Sequence, residues 1–107
     1  MKISINNFEN IKLNISSFTD FKRRKAATKE PKTIDWLKKQ IHKDNKLNLI
    51  DVGANVGGYS LIACSMSNEV NCIAVEPFPP TFYSLAKNIT LNKFEDRILP
   101  ICAVVGN

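Results

Sequence analysis

At 107 residues, with 44% hydrophobic and 23% charged side chains, the chain has an ordinary globular composition and room for one core. A domain of this size hides only about 60 to 70% of its unfolded surface, so that core is modest. The formal charge of +5 is uneven, with twelve lysines and arginines against five acids in residues 1–46 and three against five in residues 47–107. Such a front attracts nucleic acid, anionic lipid or an acidic substrate, but it equally describes a solvated surface, so charge nominates partners without selecting one.

No apolar run nears the roughly 18 residues of a membrane span, and the N-terminus lacks the apolar stretch of a secretory signal. The expected address is therefore cytoplasmic, and the sequons at Asn14 and Asn88 count as chance matches. Cys64, Cys72 and Cys102 stand in apolar surroundings without metal-ligand spacing. They are expected to be buried small hydrophobes in a reducing compartment, and no metal site is expected.

Ile3 and Ile5, then Ile11, Leu13 and Ile15, alternate with polar residues around turn material at residues 6–10. That is the pattern of an N-terminal β-hairpin. Residues 22–32 carry no apolar period and read as a basic connector, so a first unit is expected over 1–32 and a second, α/β, unit over 33–107. Thr33 is a candidate N-cap for an amphipathic helix over 34–43, with Ile34, Leu37 and Ile41 on its apolar side and Trp36 beside them. His42 falls on the polar side. It is the only histidine, which argues against a histidine-based triad or zinc site.

Beyond it the pattern alternates: strand 47–52, helix 57–66, strand 71–76, helix 80–91, strand 98–104. Alternating elements predict right-handed βαβ units and a parallel sheet. In such sheets ligands settle beyond the carboxyl ends of the strands. Asp51 and Gly53 lie at the first such end, and Gly57 and Gly58 open the following helix, whose free N–H groups face the same place. These two glycines remove β-carbons that would block either a ligand or close packing of helix on sheet. Glu76 ends the second strand, 23 residues after Gly53, where a carboxylate can accept from both hydroxyls of a ribose. Pro77, Pro79 and Pro80 stiffen the segment leaving that strand, and Phe78 either lies against a purine or joins the core. Asn55 stands where the dinucleotide fingerprint needs its second glycine, which weakens an NAD reading, and no GxxxxGK[ST] loop supports ATP hydrolysis.

DVGANVGGYS, at 51–60, resembles the first motif of the FkbM-like group of class I S-adenosylmethionine-dependent methyltransferases, in which Asn commonly replaces the middle glycine. AVEPFPPTFYSLAKNITLN, at 74–92, is similar to that group's acidic loop and following helix, and ILPICAVVGN, at 98–107, to its third strand. The likeness covers residues 47–107. It implies a Rossmann-like class I methyltransferase sheet, with Asp51, Gly53, Asn55 and Gly57 around the methionine part of the cofactor, Glu76 on its ribose and Phe78 near its adenine. Tyr59 and Ser60 would lie close to the same pocket. Asn88 and Asn92 also match the family's helix, although Asn92 reads equally as a C-terminal cap.

Such a methyltransferase has about seven strands, in the order 3-2-1-4-5 around the first, and builds its acceptor site from the fourth onward. This chain is expected to be a truncated form, ending after the third strand, with no assignable catalytic residue. The outer edge of the first strand then invites self-association, unless the hairpin caps it. The function implied is O-methylation of a small molecule or saccharide. The alternatives are a non-catalytic remnant that binds cofactor or partner, an RNA methyltransferase encouraged by the basic front, and an NAD-dependent oxidoreductase.

Overall fold

The computed structural model describes residues 2–5, 8–14 and 31–106. Of the expected basic connector at 22–32, residues 22–30 lie outside them, as does Ile15, and its last two residues belong to a helix. Two strands, β1 (Lys2–Ile5) and β2 (Phe8–Asn14), pair antiparallel with an irregularity between Ser4 and Ile5. The hairpin is therefore tighter than its sequence suggests, since Phe8 already pairs with Ile5.

Helix α1 (Pro31–Lys43) buries Ile34, Leu37 and Ile41. It begins two residues before the expected cap, because Pro31 presets a helical φ and has no N–H to leave unsatisfied, so Thr33 sits in the first turn. Trp36 stands outside the apolar stripe and is exposed, as is His42. There follow β3 (Asn48–Val52), α2 (Gly58–Met66), β4 (Asn71–Val75), α3 (Pro79–Leu91) and β5 (Ile98–Ile101). The last strand is three residues shorter than expected. Cys102 consequently lies past the sheet and is exposed, whereas Cys64 and Cys72 are buried as their surroundings predict.

The three central strands are parallel, in the order β3-β4-β5. One core joins the inward side chains of the sheet, Leu49, Cys72, Ala74 and Ile98, to Leu61 and Ile62 of α2, Leu85 and Ile89 of α3, and the apolar face of α1. Ile11 and Leu13 of β2 belong to the same core, so the hairpin is anchored on the helices. It does not cap β3: the sheets are separate, and among the described residues no strand lies on the outer edge of β3. Among the described residues no helix is long and apolar enough to cross a membrane.

Candidate functional site

Parallel pairing of β3 with β4 brings Asp51 beside Ala74 and Val52 beside Val75, so the two motifs meet at the carboxyl ends of adjacent strands. The turn leaving β3 is fastened there by its backbone: the N–H groups of Gly53 and Ala54 both donate to the Val75 carbonyl at 2.9 Å. That close return requires Gly53 to adopt φ +72°, a left-handed conformation that glycine takes without a β-carbon clash. Asn55 follows at φ +60°. Asn is among the few side chains that tolerate this region, which is the physical reason it can stand in for a glycine here.

The Asn55 N–H donates to Glu76 Oε1 and the Phe78 N–H to Oε2, each at 3.0 Å. One carboxylate thus ties the first motif to the second. Glu76 is only 8% exposed, held by two donors that fix both its oxygens. An ionised carboxylate offers about four acceptor positions, so about two remain for a ligand. Phe78 caps α3 and is 58% exposed, which corrects the option of a core residue. Its ring is turned to solvent, ahead of Pro79 and Pro80, which start the helix.

Asp51 is half-buried, and its Oδ2 accepts a short 2.6 Å bond from the Ser60 hydroxyl, which in turn accepts from the Cys72 thiol at 3.2 Å. Burial pushes the Asp51 carboxyl above its ordinary 3.8, partly offset by the Ser60 bond. Burial also pushes the thiols up, Cys72 to about 12 and Cys64 to about 11, so both stay protonated and unreactive at neutral pH.

The two helix-opening glycines have different roles. A β-carbon on Gly57, at φ +100°, would stand 2.8 Å from Leu85 Cδ1, so this glycine serves the packing of α2 against α3. Around Gly53 and Gly58 no atom beyond the adjoining backbone and neighbouring residues lies within 4 Å of where a β-carbon would be, which leaves open space beside the turn. Next to it the side-chain oxygen of Asn55 is buried and has no hydrogen-bond partner among the described residues. Tyr59 is half-buried at the start of α2. No group of side chains suited to a metal ion occurs among the described residues.

The candidates therefore converge, with Asp51, Gly53, Asn55, Glu76 and Phe78 on one rim. Sequence reasoning missed the bonds that organise them. It also missed the role of Asn88, whose buried amide donates to the Val56 carbonyl at 2.9 Å.

No family model matches the chain, and no curated protein does. Solved structures do. An S-adenosylmethionine-dependent methyltransferase of Agrobacterium tumefaciens superposes on 95% of this chain and 31% of its own, with TM-score 0.70 and 19% identity. A Staphylococcus aureus protein assigned as a caffeoyl-CoA O-methyltransferase matches 77% of this chain and 42% of its own, with TM-score 0.64 and 20% identity. The methyltransferase domain of METTL16 matches 70% and 31%, with TM-score 0.59 and 22% identity. This chain spans less than half the length of each of these structures. The shared feature is the fold: a Rossmann-like methyltransferase α/β sheet, here with three parallel strands preceded by a hairpin and a helix.

Proposed function

We propose that this chain carries the cofactor-binding part of an S-adenosylmethionine-dependent methyltransferase. The observation that carries the reading is the Asn55–Glu76 link, which presents a fixed, buried carboxylate at the end of β4 beside an open, glycine-lined turn. The residues fit the cofactor chemically. Glu76 accepts from the ribose hydroxyls with its remaining lone pairs, and the unpartnered Asn55 oxygen accepts from a donor on the amino-acid part. The exposed Phe78 ring offers a face to the adenine, and the N-terminus of α2 lies on the same side of the sheet. Bound there, S-adenosylmethionine supplies an electrophilic methyl group. The contribution of these residues is to hold it in one orientation, the main requirement of an in-line transfer.

The FkbM-like assignment rests on Asn55 in its left-handed position together with the Glu76-Pro77 pair. It makes the acceptor a hydroxyl of a small molecule or saccharide, with RNA as a lesser variant served by the basic N-terminal third. A second reading, cofactor binding without turnover, is favoured by the roles of the carboxylates: Asp51 is held by Ser60, and the acceptor positions of Glu76 are divided between two backbone N–H groups and the ribose. On either reading a second copy of the chain is a partner at the outer edge of β3.

Calorimetry with S-adenosylhomocysteine, NAD and ATP tests the site. Saturable binding of the first, weakened at least tenfold by Glu76→Gln, is the expected result. Tight NAD binding with no response to S-adenosylhomocysteine would sink the reading, and turnover with a hydroxylated acceptor separates enzyme from binder.

A further inference from the structure

The outer edge of β2 is held by a helix. Lys12 N–H donates to Asn92 Oδ1 at 2.8 Å while Asn92 Nδ2 donates to the Lys12 carbonyl at 2.7 Å, and Asn14 N–H donates to Asn88 Oδ1 at 2.7 Å. Two asparagines one helical turn apart rise by about 6 Å, and residues 12 and 14 of a strand are about 6.6 Å apart, so the two rows match. Asn92 also closes α3 by donating to the Asn88 carbonyl, and so acts as cap and edge cover at once.

Asn88 does more than hold the strand. It is wholly buried, and its other amide atom, Nδ2, donates to the carbonyl of Val56, between Asn55 and Gly57 in the turn. An amide is not symmetric, because its oxygen only accepts and its nitrogen only donates. The Asn14 N–H requires the oxygen on the β2 side, and the Val56 carbonyl requires the nitrogen on the turn side. Either partner therefore fixes the orientation that serves the other. We propose that Asn88 is a positioning residue that couples docking of the N-terminal hairpin to the shape of the turn at 53–57, so that hairpin docking and ligand binding strengthen each other. The ligand half of this statement rests on the cofactor reading above. The coupling itself does not.

Asn14→Pro deletes the N–H that reaches Asn88 Oδ1, on an edge strand, the kind of strand in which proline occurs, and Asn14→Ala keeps that N–H while losing the side chain. Amide hydrogen exchange on the full chain is read at Asn55, whose N–H is held by Glu76, and at Gly57, whose N–H is held by the Ala54 carbonyl. The expected result is about tenfold faster exchange at both in Asn14→Pro, no change in Asn14→Ala, and S-adenosylhomocysteine affinity weakened about five- to tenfold by the proline alone. Equal protection of the turn in the two variants would overturn the coupling. Absence of S-adenosylhomocysteine binding in the unmodified protein would instead remove the cofactor reading, with the exchange comparison still deciding the coupling. Should Asn14→Pro not fold, the unmodified chain answers in low denaturant: the amides of Asn14, Asn55 and Gly57 open as one unit, and turn amides that open separately at lower denaturant refute the proposal.

Discussion

The two faces of the central sheet are built from the same fourteen residues and could hardly differ more. On one face Leu49, Cys72, Ala74 and Ile98 pack under α2 and α3 in a closed core. On the other, Ile50 is 66% exposed and Leu99 57%, and Val52, Ile73 and Ile101 lie open beside them. Only Val75, next to the Gly53 turn that bonds its carbonyl, is buried at that register. Strands apolar on both sides are the mark of a parallel sheet covered on both faces. The covered face is closed by the helices packed on it, whereas the bare face is composed for a contact that the described residues do not make.

The sharpest way to test the difference is to cut into the closed face. Leu85 is wholly buried, fills the space beside Gly57 and belongs to the common core. Leu85→Ala should cost about 2–5 kcal/mol, enough to unfold a small domain of marginal stability, as read by urea or thermal denaturation. Gly57→Ala comes next, at about 1–3 kcal/mol, because its β-carbon would press on Leu85 and its φ of +100° disfavours any side chain. A loss below about 0.5 kcal/mol for Leu85→Ala would show that this face is not the one that holds the fold.

Much of this arrangement is legible in the chain itself, for identifiable reasons. The order of strands and helices comes from periodicity, and the convergence of Asp51, Gly53, Asn55 and Glu76 comes from the rule that such sites gather at strand ends. What sequence cannot supply are contacts between distant residues. Nothing in the spacing of Asn88 announces that its amide joins β2 to Val56, since a buried asparagine inside a helix looks like any polar residue there until its partners are placed. Phe78 and Trp36 are ambiguous for a related reason: an aromatic ring next to an apolar stripe does not reveal its direction. Cys102 looks buried from its neighbours, yet the strand that would bury it ends one residue earlier, at Ile101. The exposed sheet face is implied by the apolar runs of all three strands, but only the packed helices show which half of each run is covered.

A smaller effect probes the polar end of the closed face. Burial raises the Asp51 carboxyl above 3.8, so folding favours its protonated form. The resulting penalty is absent below pH 3.8, sets in as the unfolded chain ionises above that value, and is complete once pH exceeds the folded value. Asp51→Asn removes it, and the amide oxygen can still accept from Ser60. The variant should therefore be more stable than the parent at neutral pH, the gain vanishing as pH falls below 3.8 in parallel urea titrations. Weaker S-adenosylhomocysteine binding in the same variant would mark Asp51 as a residue whose ionisation costs stability and serves the site.

The smallest change in stability is expected on the bare face, together with the clearest change in association. Ile50→Thr combined with Val52→Thr keeps two β-branched side chains in β3 while removing apolar surface that is mostly exposed. Unfolding should shift by no more than about 0.5 kcal/mol, because no buried contact is lost. Sedimentation should move the other way: the parent associates as its concentration rises, through a free strand edge bordered by an open apolar face, and the doubly substituted chain shifts toward monomer. A parent that sediments as a single monomeric species and melts cooperatively at every concentration would remove the second copy as a partner. A doubly substituted chain that associates as strongly as its parent would move the contact off the β3 side chains, to the backbone edge of that strand or to Ile73, Leu99 and Ile101, which the substitutions leave intact.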